Sequence, residues 1–172
     1  MINSITGEEV WSENYNLMFT DFSVSEDGVI VALGRMGNQD STIFMLNPVT
    51  GKILWQKILK YFAISITFSP NRKFIAYILP KINIEMIDGK RYVLERHYIY
   101  MINSDNGEDI WNNNNIENAN KIAFSPDGNY ILCSKDSQKI FSLDVKNGNK
   151  LWSINDYDII SLSISHNSEH II

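Results

Sequence analysis

The sequence is poor in the residues that carry most catalytic and nucleic-acid chemistry. Cys133 is the single cysteine among 172 residues, so no intramolecular disulfide framework can form. It falls within the apolar run YILC and reads as a small buried side chain, not a reactive thiol. Lysine and arginine number 15 against 20 aspartates and glutamates, a net charge of −5. No basic run exceeds Lys90–Arg91, so a nucleic-acid-binding surface is not indicated. No apolar run reaches the roughly 18 residues of a membrane-spanning helix, so membrane insertion is not expected. The opening MINSITGEEVW has no basic start and no apolar segment, so no signal peptide is visible. On that ground alone the compartment defaults to the cytoplasm. Only 20% of the residues are charged, and no window holds a helical period. Isoleucine, phenylalanine, tyrosine and tryptophan alternate with polar residues instead, as in a folded β-protein.

What the chain does have is a repeat. INSITGEEVW (Ile2–Trp11), LNPVTGKILW (Leu46–Trp55), INSDNGEDIW (Ile102–Trp111) and LDVKNGNKLW (Leu143–Trp152) share one frame. An aliphatic residue and Asn or Asp are followed, after three variable positions, by glycine, two polar positions, an aliphatic residue and tryptophan. Its fixed points are Gly7, Gly51, Gly107 and Gly148, with Trp11, Trp55, Trp111 and Trp152 four residues on. A second motif follows each tryptophan: FSVSEDG (Phe22–Gly28), ITFSPNR (Ile66–Arg72), IAFSPDG (Ile122–Gly128) and LSISHNS (Leu162–Ser168). Its serine trails the tryptophan by 14, 14, 14 and 13 residues, so two motifs keep phase over four copies.

Each unit reads as four short strands. In the third copy these are Lys121–Phe124, Asn129–Ser134, Lys139–Asp144 and Asn149–Trp152. Ser125-Pro126-Asp127-Gly128 turns the chain between the first two, because proline presets φ and glycine takes a positive φ freely. The pair Asn147-Gly148 marks the last hairpin. The second copy is longer by about a dozen residues, LPKINIEMIDGKRYVLERH, with Asp88-Gly89 between two strand-like arms. This predicts a hairpin that prolongs the second and third strands beyond their sheet. Its Arg91, Tyr92, Arg96 and His97 are the candidate contact residues for a partner.

Four short strands every 40 or so residues predict an all-β fold, a β-propeller of four-stranded antiparallel blades. FSPDG before an aliphatic strand resembles the first turn of WD-repeat blades. LNPVTGKILW resembles the repeat of the quinoprotein (PQQ-like) propellers. That fold leaves the tryptophans a structural role, filling the wedge between blades. The whole chain reads as one propeller domain: residues 1–11 end a blade, 12–55, 56–111 and 112–152 are full blades, and 153–172 begin another. Three closures stay open: part of a six- to eight-bladed propeller, two copies closing one eight-bladed ring as a homodimer, or a four-bladed ring.

The candidate chemistries are thin. His166, Glu169 and His170 fit the H-x-x-E-H pattern of zinc peptidases, but phase with the third copy puts them in a strand–turn–strand, where the histidines flank a turn. The quinone cofactor that PQQ-like propellers imply sits over an adjacent cysteine pair, which one cysteine cannot supply. Asn103–Asp109 misses the calcium-loop frame, because Ile102, Ser104 and Asn106 fall on its ligand positions. The expectation is therefore no cofactor, no metal and no catalytic residue. The best reading is a non-catalytic interaction module binding a protein or peptide through one face or the axial opening. The alternative is the propeller portion of a larger enzyme, a prolyl-oligopeptidase-like peptidase or a quinoprotein relative, with its catalytic residues elsewhere.

Overall fold

The computed structural model describes residues 1–36, 40–114, 118–135, 139–155 and 164–165. Its elements are twelve strands in three antiparallel sheets. The first sheet holds β1 (Met18–Val24), β2 (Ile30–Met36), β3 (Asp40–Leu46) and β4 (Ile53–Leu59), in that order. The second holds β5 (Ser65–Phe68), β6 (Phe74–Ile87), β7 (Lys90–Asn103) and β8 (Asp109–Asn113). The third holds β9 (Lys121–Phe124), β10 (Tyr130–Lys135), β11 (Lys139–Asp144) and β12 (Lys150–Asn155). These are three consecutive up-and-down blades. The H-x-x-E-H residues His166, Glu169 and His170 lie outside the described residues.

Burial within a blade follows its strand order. The middle strands are covered on both faces, so they read as near-continuous apolar runs; in β3 every residue from Ser41 to Leu46 is buried. Two cores fill the spaces between sheets. Val31, Leu33, Ile43 and Met45 of the first blade meet Ile75, Tyr77 and Ile102 of the second. Ala76, Ile78, Ile99 and Met101, on the other face of the second blade, meet Ile131, Cys133, Phe141 and Leu143 of the third. Cys133 is fully buried, and burial pushes its thiol pKa up, away from reactivity.

The tryptophans sit at the rim of these cores instead of filling them. Trp55, Trp111 and Trp152 lie on outermost strands and Trp11 precedes β1; Trp11, Trp55 and Trp111 are half-buried and reach across to the last hairpin turn of the next blade. The Trp11 indole N–H donates to the Pro48 carbonyl at 2.9 Å, that of Trp55 to Ser104 at 2.9 Å, and that of Trp111 to Val145 at 2.8 Å. Each acceptor lies three residues before the turn glycine, and the ring covers that glycine. A second donor then caps the glycine's own carbonyl: the Tyr15 hydroxyl on Gly51, Lys57 Nζ on Gly107 at 2.9 Å, and Asn113 Nδ2 on Gly148 at 2.6 Å. The repeat is thus an inter-blade clasp. Glycine is required because φ is +71° at Gly51, Gly107 and Gly148 and because the ring lies where a side chain would stand.

The aliphatic residue before each tryptophan has a distinct cause. Met45 pairs with Trp55 but Leu46 pairs with Ile53, so Leu54 is a bulge; Ile110 and Leu151 are bulged in the same way. The extra residue re-aims the tryptophan toward the neighbouring blade and leaves the aliphatic side chain about half exposed.

The first tight turns are closed by their serines. The Ser125 hydroxyl donates to Asp127 Oδ1 at 2.6 Å and accepts from the Tyr130 N–H at 3.1 Å, and Ser25 bonds Asp27 in the same manner. Those hydroxyls hold the Asp127 and Asp27 carboxyls below the usual carboxylate range. At the amino end, where residues 1–11 are expected to end a blade, Ile2 and Glu9 form a single antiparallel bridge around the Gly7 turn.

Candidate protein-interaction face

The second blade carries the feature that distinguishes one face of the molecule. β6 and β7 pair without interruption from Phe74↔Asn103 to Ile87↔Lys90. β5 accompanies β6 only as far as Ser65↔Ile78, so the arms beyond it pair with each other alone. Asp88 and Gly89 both take positive φ, 51° and 72°, the geometry of a tight two-residue hairpin turn.

Register sorts the hairpin into two faces. Ile82, Ile84 and Met86 lie opposite Glu95, Val93 and Arg91. Four of these form an apolar strip: Ile82, Ile84, Met86 and Val93 are 60%, 57%, 67% and 62% exposed. The other face is polar. Arg96 Nη2 bonds Glu85 Oε1 at 2.5 Å, and Lys81 Nζ bonds the Tyr100 hydroxyl at 2.6 Å while lying 4.5 Å from the Tyr98 ring centre.

The four residues singled out from the sequence divide between these faces. Arg91 is exposed near the tip on the apolar side, and Tyr92, 43% exposed, is on the polar side with Arg96. His97 is 8% exposed and belongs to the root of the hairpin. Its Nδ1–H donates to the Ala119 carbonyl at 2.5 Å, its backbone N–H to Asn118 Oδ1 at 3.2 Å, and Asn118 Nδ2 donates in turn to the Glu95 carbonyl at 3.2 Å. These bonds lock the hairpin against the third blade, so its angle is fixed by the fold.

A cavity of about 410 Å³ opens beside the root, lined by Arg35, Tyr61, Phe62, Ile64, Pro80, Ile82 and Glu95. The Arg35 guanidinium carbon stands 4.1 Å from the centre of the Phe62 ring. Sequence reasoning missed this groove because its walls come from four separate stretches of chain. It also missed the apolar strip, although the alternation Ile82, Ile84, Met86 past the end of the sheet was a usable signal. A second, more polar cavity of about 400 Å³ lies where the first strands converge, between Asp21, Ser65 and Lys121. Among the described residues, no group of three or more His, Cys, Asp or Glu side chains is placed to hold a metal ion.

A family model described as "Outer membrane protein assembly factor BamB", of the PQQ-like class, matches residues 1–158. The chain belongs to this family. The WD-repeat part of the resemblance is not what the match shows. A search of curated proteins returns no match. Among solved structures, the chain is similar to BamB from Moraxella catarrhalis, at 17% identity and a TM-score of 0.58, over 84% of this chain and 39% of that one. It is also similar to a protein of unknown function from Bacteroides caccae, at 16% identity and a TM-score of 0.60, over 97% of this chain and 57% of that one. These likenesses establish the propeller fold, and the chain spans well under two thirds of either protein. The family match corrects one expectation. A cytoplasmic location rested on seeing no leader in MINSITGEEVW, and membership of a family described as an outer-membrane assembly factor overturns it.

Proposed function

We propose that this protein is a non-catalytic interaction propeller that binds another protein through the hairpin face of its second blade, in the service of outer-membrane protein assembly. One observation carries the reading. The strip Ile82, Ile84, Met86 and Val93 stays exposed on a hairpin that the His97 root holds rigid, and exposed apolar patches of this kind mark contact surfaces. Arg91, near the tip on the same face, supplies a polar edge to the strip, while Tyr92 and Arg96, the latter held by Glu85, lie on the opposite face. The enzyme alternative gains nothing from a family described as an assembly factor.

A photo-crosslinking amino acid at Ile84 or Arg91, in cells producing the protein, should yield a discrete adduct with a second protein. The same group at Val49, more exposed still on a turn of the first blade, should not. Identical adduct patterns at all three sites would remove the hairpin from the contact.

A second reading is supported by the clasp. Gly7 has φ +73° with nothing within 4 Å of where a Cβ would stand, and the Trp152 indole N–H makes no hydrogen bond among the described residues. Trp152 of one copy fits the Gly7 turn of another, with the Ser4 carbonyl as acceptor, and two such contacts close a two-fold homodimer. Light scattering should then give twice the chain mass, falling to the single mass for Trp152→Ala and for Gly7→Val. A single mass for the unaltered chain across concentrations would rule this assembly out.

A further inference from the structure

Resting on the reading of the hairpin face as a protein-binding surface, we propose that its occupant is an extended apolar segment of a partner protein. That segment adds as a strand beside β6 and places one carboxylate side chain on Arg35.

Three observations converge on it. First, β6 offers an open edge. Ile64 donates its N–H to the Ile78 carbonyl, so the even-numbered residues of β6 turn their backbone groups toward the β5 side. Beyond Ile78 that side has no strand, which leaves the N–H groups of Ile82, Ile84 and Met86 and the carbonyls of Pro80, Ile82 and Ile84 along the edge without a ladder partner among the described residues. A segment continuing the line of β5 would complete the ladder, the way extended peptides add to sheet edges. Its alternate side chains would meet the strip of Ile82, Ile84, Met86 and Val93.

Second, Arg35 is a cation with unmet capacity. Its Nε is buried and has no hydrogen-bond partner, and no ion pair to Arg35 occurs among the described residues. Arg72 and Arg96, by contrast, are paired with Asp27 and Glu85. The buried Nε is out of a ligand's reach, so a carboxylate entering the cavity would meet the rest of the guanidinium and offset its charge. Stacking on Phe62 presents the guanidinium as a rigid planar fork, suited to a carboxylate.

Third, the lining restricts the anion. Tyr61, Phe62, Ile64, Pro80 and Ile82 are dominated by apolar surface, and Glu95 contributes the one negative charge of the lining. One cation beside one carboxylate does not suit a phosphate or a polyacidic tract. It suits a single Asp or Glu flanked by apolar residues.

The test uses the full chain to select from a phage-displayed library of random peptides. Selected peptides are then synthesised with a fluorescent label and measured by anisotropy. The proposal expects sequences that alternate apolar residues around a single Asp or Glu. Changing that residue to its amide, or Arg35→Gln in the protein, should each weaken binding about tenfold, and both together no further. The amide peptide leaves the protein unaltered, so a misfolded variant cannot imitate the result. Recovery of no binder would overturn both this proposal and the hairpin reading beneath it. Binders without a carboxylate, or indifferent to Arg35→Gln, would overturn this proposal and leave the hairpin reading standing.

Discussion

Gly148→Ala should destabilise the protein by about 3 kcal/mol in urea denaturation, although it adds one methyl group. Two effects act together. Gly148 has φ +71°, where an L-residue costs roughly 1–2 kcal/mol. The new Cβ would also stand 2.8 Å from Cε3 and 3.0 Å from Cδ2 of Trp111. The ring has to move, which breaks its 2.8 Å bond to the Val145 carbonyl, worth about 1 kcal/mol, and loosens the contact beneath it. Gly89→Ala is the control. Its φ is nearly the same, +72°, but nothing lies within 4 Å of the added atom, so only the conformational cost of about 1–2 kcal/mol remains. If the two variants lose equal stability, the tryptophan clasp contributes little and the glycines are there for the turn alone.

Ser41→Ala should cost about 2–3 kcal/mol and should loosen one wall of the groove. Ser41 is fully buried at the start of β3. Its hydroxyl donates to the Tyr61 carbonyl at 2.6 Å and accepts the Ala63 N–H at 2.9 Å. Both ends of the connection that carries Phe62 are therefore tied to one side chain in the preceding blade. Alanine leaves the buried Ala63 donor and the half-buried Tyr61 acceptor unsatisfied, which costs more than the bonds themselves were worth. Hydrogen exchange at the Ala63 amide should accelerate well beyond the global loss of stability. An exchange rate that tracks global unfolding alone would mean the connection is held by packing and not by Ser41.

Much of the fold could be read from the chain because two motifs keep phase. Turn chemistry at Ser125–Gly128 and Asn147-Gly148 placed the strands of the third blade nearly to the residue, with β12 running on to Asn155. Asp88-Gly89 located the long hairpin by the same logic. The site was less visible. Arg35 and Phe62 lie on different connections and meet only when the first blade packs against the second. His97 looked like a contact residue because a histidine on an extra hairpin has no evident structural duty. Its duty is set by the Ala119 carbonyl, which belongs to the next blade. The bulges at Leu54, Ile110 and Leu151 were hidden as well, since a single extra residue leaves the apolar pattern almost unchanged.

The tryptophan clasp also has a direction in time. Three indoles wait for an acceptor later in the chain: Trp11 for Pro48, 37 residues on, Trp55 for Ser104, 49 residues on, and Trp111 for Val145, 34 residues on. During synthesis from the amino end, every blade therefore emerges with its tryptophan uncovered until the following blade has formed its last turn. Maturation proceeds like a zip, and an interruption leaves one aromatic ring open to solvent at the growing edge. A ribosome stalled between two turns would display that ring, a natural handle for a chaperone that recognises exposed aromatic surface.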